Sequence, residues 1–172
     1  MARPDDLCHA PHVIELPFLT IAPDDNAVLE LRAAWHWKIG AGWTPLLVTA
    51  FGDVFLRHSG PILWLNTGTG EVTQVAGSAE ELETMLGVEA SFEGWLMPGL
   101  VERLRAEGRL LQPGRYYSYT IFPVFKQGKY EPNNIITLPI GEHFGWSGSL
   151  HKQIQSIPDG GTVQMMVKPR LM

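Results

Sequence analysis

Four short strand-like runs follow one another at regular spacing: Leu46–Ala50, Val54–Arg57, Ile62–Asn66 and Glu71–Ala76. The gaps hold turn residues, Phe51-Gly52-Asp53, His58-Ser59-Gly60-Pro61 and Thr67-Gly68-Thr69-Gly70. Connections this short join antiparallel neighbours, so the runs predict a β meander. Val54 and Leu56 alternate with Phe55 and Arg57, the period of a strand whose two faces differ. Asp53 follows a glycine in a turn, where a local Asx hydrogen bond is the ordinary use of the side chain.

Helical patterns flank the meander. Asp24-Asp25-Asn26 supplies cap candidates and negative charge for a helix start, and Val28, Leu31 and Trp35 recur at helical spacing. Gly40 and Gly42 end that helix near Ile39. Trp35 and Trp37 lie about 200° apart on it and are expected to face different ways. Ser78-Ala79-Glu80-Glu81 is a capping box for a short helix that ends at Gly87, with Leu82, Met85 and Leu86 on one side. Ser91 is a cap candidate for a further helical segment, which Pro98 either kinks or restarts at the first helical position. Leu100, Val101 and Leu104 form its buried stripe, and Gly108 closes it.

Arg115–Phe125 holds three tyrosines, two phenylalanines and a proline. Tyr116, Tyr117 and Tyr119 read as core and cross-strand pairs, with a stacking surface as the alternative. Ile135–Leu138 reads as a strand. A helix from about Glu142 then puts His143, Trp146, Leu150, Ile154 and Ile157 in one narrow arc. His143 falls on that apolar arc, which favours a buried ring donating one N–H to a backbone carbonyl. His151, about 80° away, reads as the more exposed of the two and as a surface-contact candidate. A separation of eight residues is not a metal-binding spacing. Pro158 stops the helix, and Thr162–Lys168 reads as a closing strand.

The chain of 172 residues suits one domain with a real core: a lead-in over residues 1–23, in which Pro17 breaks the apolar run Val13–Ile21, then a single domain over 24–172. The fold class expected is α+β, an antiparallel β meander or sheet packed by about four helices. Charge is uneven. Residues 1–93 carry 13 acids against four bases, and residues 94–172 five acids against nine bases. The anionic first part argues against direct nucleic-acid binding, which needs clustered Lys and Arg. The single cysteine, Cys8, can form neither an internal disulfide nor a zinc site. The sequence shows no secretory signal and no run long enough to span a membrane, so a cytoplasmic protein is expected. It shows no phosphate loop, HExxH or GxSxG motif either.

Several local choices occur together. They are Phe122-Pro123, Gly128-Lys129-Tyr130, Asn134-Ile135, His143-Phe144, Gly148-Ser149-Leu150-His151-Lys152-Gln153 and Pro158-Asp159-Gly160. Upstream stand Phe51-Gly52-Asp53-Val54-Phe55, the run Gly60–Ala76, Trp95-Leu96 and Leu111-Gln112-Pro113-Gly114-Arg115-Tyr116. Over about Trp35 to Lys168 this resembles the C-terminal domain of bacterial type VI secretion immunity proteins, the group that protects against DNase effectors. The order of meander and acidic helix is also distantly similar to the SUKH immunity superfamily. The chain departs from the pattern at Gln127, where a glycine is expected, and at Gly145-Trp146, which replaces a more aliphatic helix. The N-terminal GAD-like domain of many relatives is not evident.

The resemblance implies a non-catalytic protein, without cofactor or metal, that neutralises a protein toxin by occlusion. Its net charge of -5 fits a basic partner. The contact candidates are Asp24 and Asp25, Glu80, Glu81 and Glu83, Trp37 and His151. The alternative is a small hydrolase-like enzyme or ligand-binding domain, in which Asp53, His143, His151 and Tyr119, with Glu131 and Glu142 nearby, meet around a concave site.

Overall fold

The computed structural model describes residues 16–164. Cys8, the start of the Val13–Ile21 run and most of the expected strand Thr162–Lys168 lie outside these residues. Helix α1 (Asp25–Ile39) starts where Asp24 Oδ1 accepts the Ala27 N–H at 2.7 Å, and it ends at Gly40, whose φ of 65° an L side chain resists. The meander follows as β1 (Trp43–Val48), β2 (Val54–His58), β3 (Ile62–Leu65) and β4 (Val72–Ala76), paired in that order and antiparallel throughout. Short turns allow nothing else.

The alternation along β2 sorts the core into layers. Val54 and Leu56 pack with Ala27, Leu31, Trp35 and Ile39 of α1. Phe55 points to the other face, where it meets Leu82 and Leu96. Those two leucines belong to α2 (Ala79–Leu86) and α3 (Glu89–Leu96). The capping box forms, with Ser78 Oγ accepting the Glu81 N–H at 3.2 Å. The glutamate reaches back one residue further than usual, to the Gly77 N–H at 2.6 Å.

Ser91 lies inside α3, which starts after Val88 without a side-chain cap. Met97, at φ 49°, breaks the segment into two helices, and Pro98 opens α4 (Pro98–Ala106) at its first turn. That break gives five helices among the described residues where about four were expected.

Leu100, Val101 and Leu104 of α4 pack on Tyr117 and Tyr119 of β5 (Arg115–Tyr119) and on Ile135 of β6 (Ile135–Pro139). Strands β5 and β6 form their own antiparallel ladder, tied to the meander where the Tyr117 N–H donates to the Ala50 carbonyl at 2.9 Å. The three tyrosines are core, each 3% exposed or less.

Helix α5 (Ile140–Ile154) lies against α1 and against β5 and β6. Its inward residues are Ile140, His143, Phe144, Ser147, Gly148 and His151. This face is turned roughly a quarter turn from the apolar arc expected from the sequence. Trp146, expected inside, is 56% exposed, whereas His151 is 4% exposed. The neighbours explain the rotation. A Cβ on Gly148 would stand 2.6 Å from the Ala34 carbonyl oxygen, so α1 approaches on that side and admits no side chain. The Trp35 indole N–H donates to Ser147 Oγ at 3.3 Å, which satisfies a buried hydroxyl.

Trp37 does not face away from Trp35 either. The rings stack at 6.1 Å with an interplanar angle of 16°. The expected lead-in edge strand is reduced to a bridge from Thr20 to Thr49.

Candidate functional site

The turn after β1 presents Asp53, 1% exposed, and the turn after β3 presents Thr67, fully buried. Asp53 does not make the expected local Asx bond. Thr49 Oγ1 takes the turn amides of Phe51 and Asp53 instead. This frees Asp53 Oδ1 to reach across to the next turn, where it accepts the Thr67 N–H at 2.7 Å and the Thr67 hydroxyl at 3.0 Å. The Thr67 hydroxyl oxygen lies 2.9 Å from His143 Nε2, and His143 Nδ1 lies 3.0 Å from Ser118 Oγ.

A hydroxyl has one proton, and that of Thr67 goes to the carboxylate. Nε2 of His143 therefore carries the ring proton and donates to Thr67. Nδ1 then accepts from the Ser118 hydroxyl. The string runs Ser118 to His143 to Thr67 to Asp53, every member satisfied on the sides described.

Burial sets the charges along it. Desolvation pushes the Asp53 carboxyl up to about 7, against the two Thr67 bonds that favour its anion. Desolvation alone drives His143 down to about 4, so its ring is neutral at pH 7.

His151 joins the same turn from about two helical turns further on. Its Nε2 donates to the Thr67 carbonyl at 3.0 Å, since that oxygen can only accept. The expected roles are thus exchanged: His151 binds a backbone carbonyl and His143 binds two hydroxyls. Both rings fit because the facing turns lack side chains. A Cβ on Gly52 would stand 2.4 Å from His143 Nε2, and one on Gly70 would stand 2.5 Å from His151 Nδ1.

Tyr119 packs on Phe51 and Phe122 and is close enough to Asp53 for the carboxylate to raise its pKa, after the larger effect of burial. Glu131 and Glu142 are exposed and stand apart from the string. Asp53, His143 and His151 therefore do meet, through Thr67; Asp53 and His143 are enclosed, and only the edge of His151 reaches a groove. Among the described residues no group of three His, Cys, Asp or Glu is placed to hold a metal ion.

The contact candidates separate into three places. Asp24 and Asp25 are exposed at the start of α1. Glu80, Glu81 and Glu83 are exposed on α2, which packs on the opposite face of the meander. Trp37 and the edge of His151 line one groove of about 580 Å³, with Lys38, Phe125, Ile154 and Ile157. The sequence reading missed Thr67 and Ser118. The available signal was a lone small hydroxyl set among apolar or aromatic neighbours, as Ser118 is between Tyr117 and Tyr119.

Residues 76–151 match the family model described as T6SS immunity protein Tdi1, C-terminal. No curated protein matches the chain. The match covers α2 to α4, β5, β6 and most of α5, including Ser118, His143 and His151, whereas Asp53 and Thr67 precede it.

Proposed function

We propose, from the match of residues 76–151 to the type VI secretion immunity protein model, that this protein binds a toxic effector of that system and neutralises it by occlusion. It carries out no reaction of its own. The observation that carries this reading, beside the family, is the position of the reactive groups. His143 is fully buried and Asp53 is 1% exposed, so neither can touch a substrate.

The surface offers acids instead. Glu80, Glu81, Glu83, Glu89 and Glu93 are exposed on α2 and α3, and Asp24 and Asp25 on α1. Such a surface suits a basic partner, as a DNase that grips phosphates must be. Trp37 and His151 offer a separate, partly aromatic contact at the groove. The site of action is then the cytoplasm. Among the described residues no helix is long and apolar enough to cross a membrane.

Co-expression with the effector encoded beside this chain tests the reading. Rescue of growth together with co-purification is expected. An effector that remains toxic and does not bind removes the assignment.

A second reading draws on the Ser118–His143–Thr67–Asp53 string, which joins a hydroxyl, an imidazole and a carboxylate. It carries less weight because Thr67 intervenes between His143 and Asp53 and Ser118 is fully buried. Turnover of a substrate by purified protein, lost in Ser118→Ala with folding retained, would support it over immunity.

A further inference from the structure

The two sheets have four outer edges, and they are treated differently. Residues 16–21 cover the C-terminal end of the β1 edge, where the Ile21 N–H donates to the Val48 carbonyl and the Ala50 N–H to the Leu19 carbonyl, and Arg32 donates to the Trp43 carbonyl at its start. The edge of β5 is tied to Ala50 through the Tyr117 N–H. The edge of β6 is blunted by two guanidiniums. Arg109 donates to the carbonyls of Pro132 and Ile135, and Arg115 to that of Thr137. Cationic side chains on an edge are a usual guard against strand addition.

Among the described residues the edge of β4 has no such guard. Its sequence is Val72-Thr73-Gln74-Val75-Ala76, without charge or proline. Among the described residues no strand pairs with its outer side. Its pairing with β3 is regular from Val72 to Gln74, and only then is a bulge inserted, at Val75. The ladder begins with the Asn66 N–H donating to the Glu71 carbonyl at 2.9 Å. Antiparallel residues alternate between facing the partner and facing away. Counted from Glu71, Thr73 therefore bonds inward, and Val72 and Gln74 turn their N–H and C=O groups outward.

We infer that the β4 edge takes up an extended, basic segment of the effector as an added strand, an inference that rests on the function proposed above. Strand addition draws affinity from main-chain hydrogen bonds and specificity from flanking side chains. Here the flanks are acidic. Glu71 precedes the strand, and α2, which touches β4, carries exposed Glu80, Glu81 and Glu83. Arg57, on β2, is close enough to act on Glu80 electrostatically, and no Lys or Arg occurs from 58 to 102. A second copy of this chain fits the edge poorly. Antiparallel pairing of two β4 edges would set Glu71 of each copy toward the α2 carboxylates of the other, and like charges so placed repel.

The test uses the full chain and the effector encoded beside it. Gln74→Pro deletes one outward N–H and leaves the ladder to β3 intact. It is expected to weaken effector binding at least tenfold with an unchanged melting temperature. Glu80→Lys with Glu83→Lys is expected to weaken it further and to flatten its salt dependence. Amide hydrogen exchange supplies a readout that needs no variant: Val72 and Gln74 amides exchange fast in the free protein and slow down in the complex. Wild-type binding with full binding by folded Gln74→Pro, or with no new protection at Val72 and Gln74, overturns the inference and leaves the immunity reading standing. Absence of wild-type binding overturns both. A dimer of the free protein that Gln74→Pro dissolves also overturns it, by showing a second copy on the edge.

Discussion

The hydroxyl of Thr67 lies 2.9 Å from Nε2 of His143, although 76 residues separate the two in the chain. This contact ties the last helix to the meander. It also connects a carboxyl and a neutral imidazole in the core.

Thr67→Val keeps the shape of the side chain and removes its hydroxyl. The His143 N–H and one bond to Asp53 Oδ1 are then unmet in a dry site. Buried polar groups left without partners cost about 1–3 kcal/mol each. A loss of ~2–4 kcal/mol is expected from these two deletions together, read by urea denaturation.

Stability against pH follows from two opposed shifts. Asp53 is raised from 3.8 to about 7 on folding, so the folded state binds the extra proton and this group favours folding less as pH rises from 4 to 7. His143 is lowered from 6.5 to about 4, so the unfolded state binds the extra proton and this group favours folding more as pH rises from 4 to 6.5. The windows nearly coincide and the slopes oppose, so the contributions of these two groups are expected to nearly cancel in the wild type. Asp53→Asn should expose a stability that rises with pH, and His143→Gln one that falls. Each slope is at most about 1.4 kcal/mol per pH unit. Chemical denaturation between pH 4 and 7 reads all three.

Gly52→Ala meets two obstacles, a φ of 80° and the His143 ring at 2.4 Å. The first costs roughly 1 kcal/mol and persists in any background. The second disappears when the ring is removed. The double variant with His143→Ala is therefore expected to lose less stability than the two single losses added together, by roughly 1 kcal/mol or more. Additive losses would mean that the ring and the turn do not touch.

Arg109 and Arg115 are expected to protect the β6 edge. Replacing both by alanine frees the carbonyls of Pro132, Ile135 and Thr137. Light scattering at rising concentration should show association in the double variant that the wild type lacks.

Trp146→Gln is expected to change stability by less than about 0.5 kcal/mol, because the ring is 56% exposed. Leu104→Ala, at a fully buried position, should cost about 2–5 kcal/mol. Thermal unfolding of the two variants side by side checks the contrast.

Much of the fold was legible because its signals are local. Turn residues between short alternating runs set the meander, Ser78 and Glu81 set α2, and Pro98 at the first turn set α4. The three tyrosines read correctly as core because aromatic strand residues pack across a ladder. The face that α5 buries was not legible. Hydrophobic periodicity placed Trp146 inside and left His151 at the surface, whereas the approach of α1 at Gly148 and the carbonyl of Thr67, which takes the His151 ring, reversed both.

The sequence by itself determined α1, α2, the antiparallel meander with its strand order, and the likeness to the immunity family, since each is written in windows of a few residues. Tertiary structure alone decided that Asp53, Thr67, His143 and Ser118 form one buried string, and that among the described residues β4 has an unpaired edge beside an acidic helix. Those facts depend on contacts between residues far apart in the chain. Burial then sets the charge of each group in a way that no local pattern encodes.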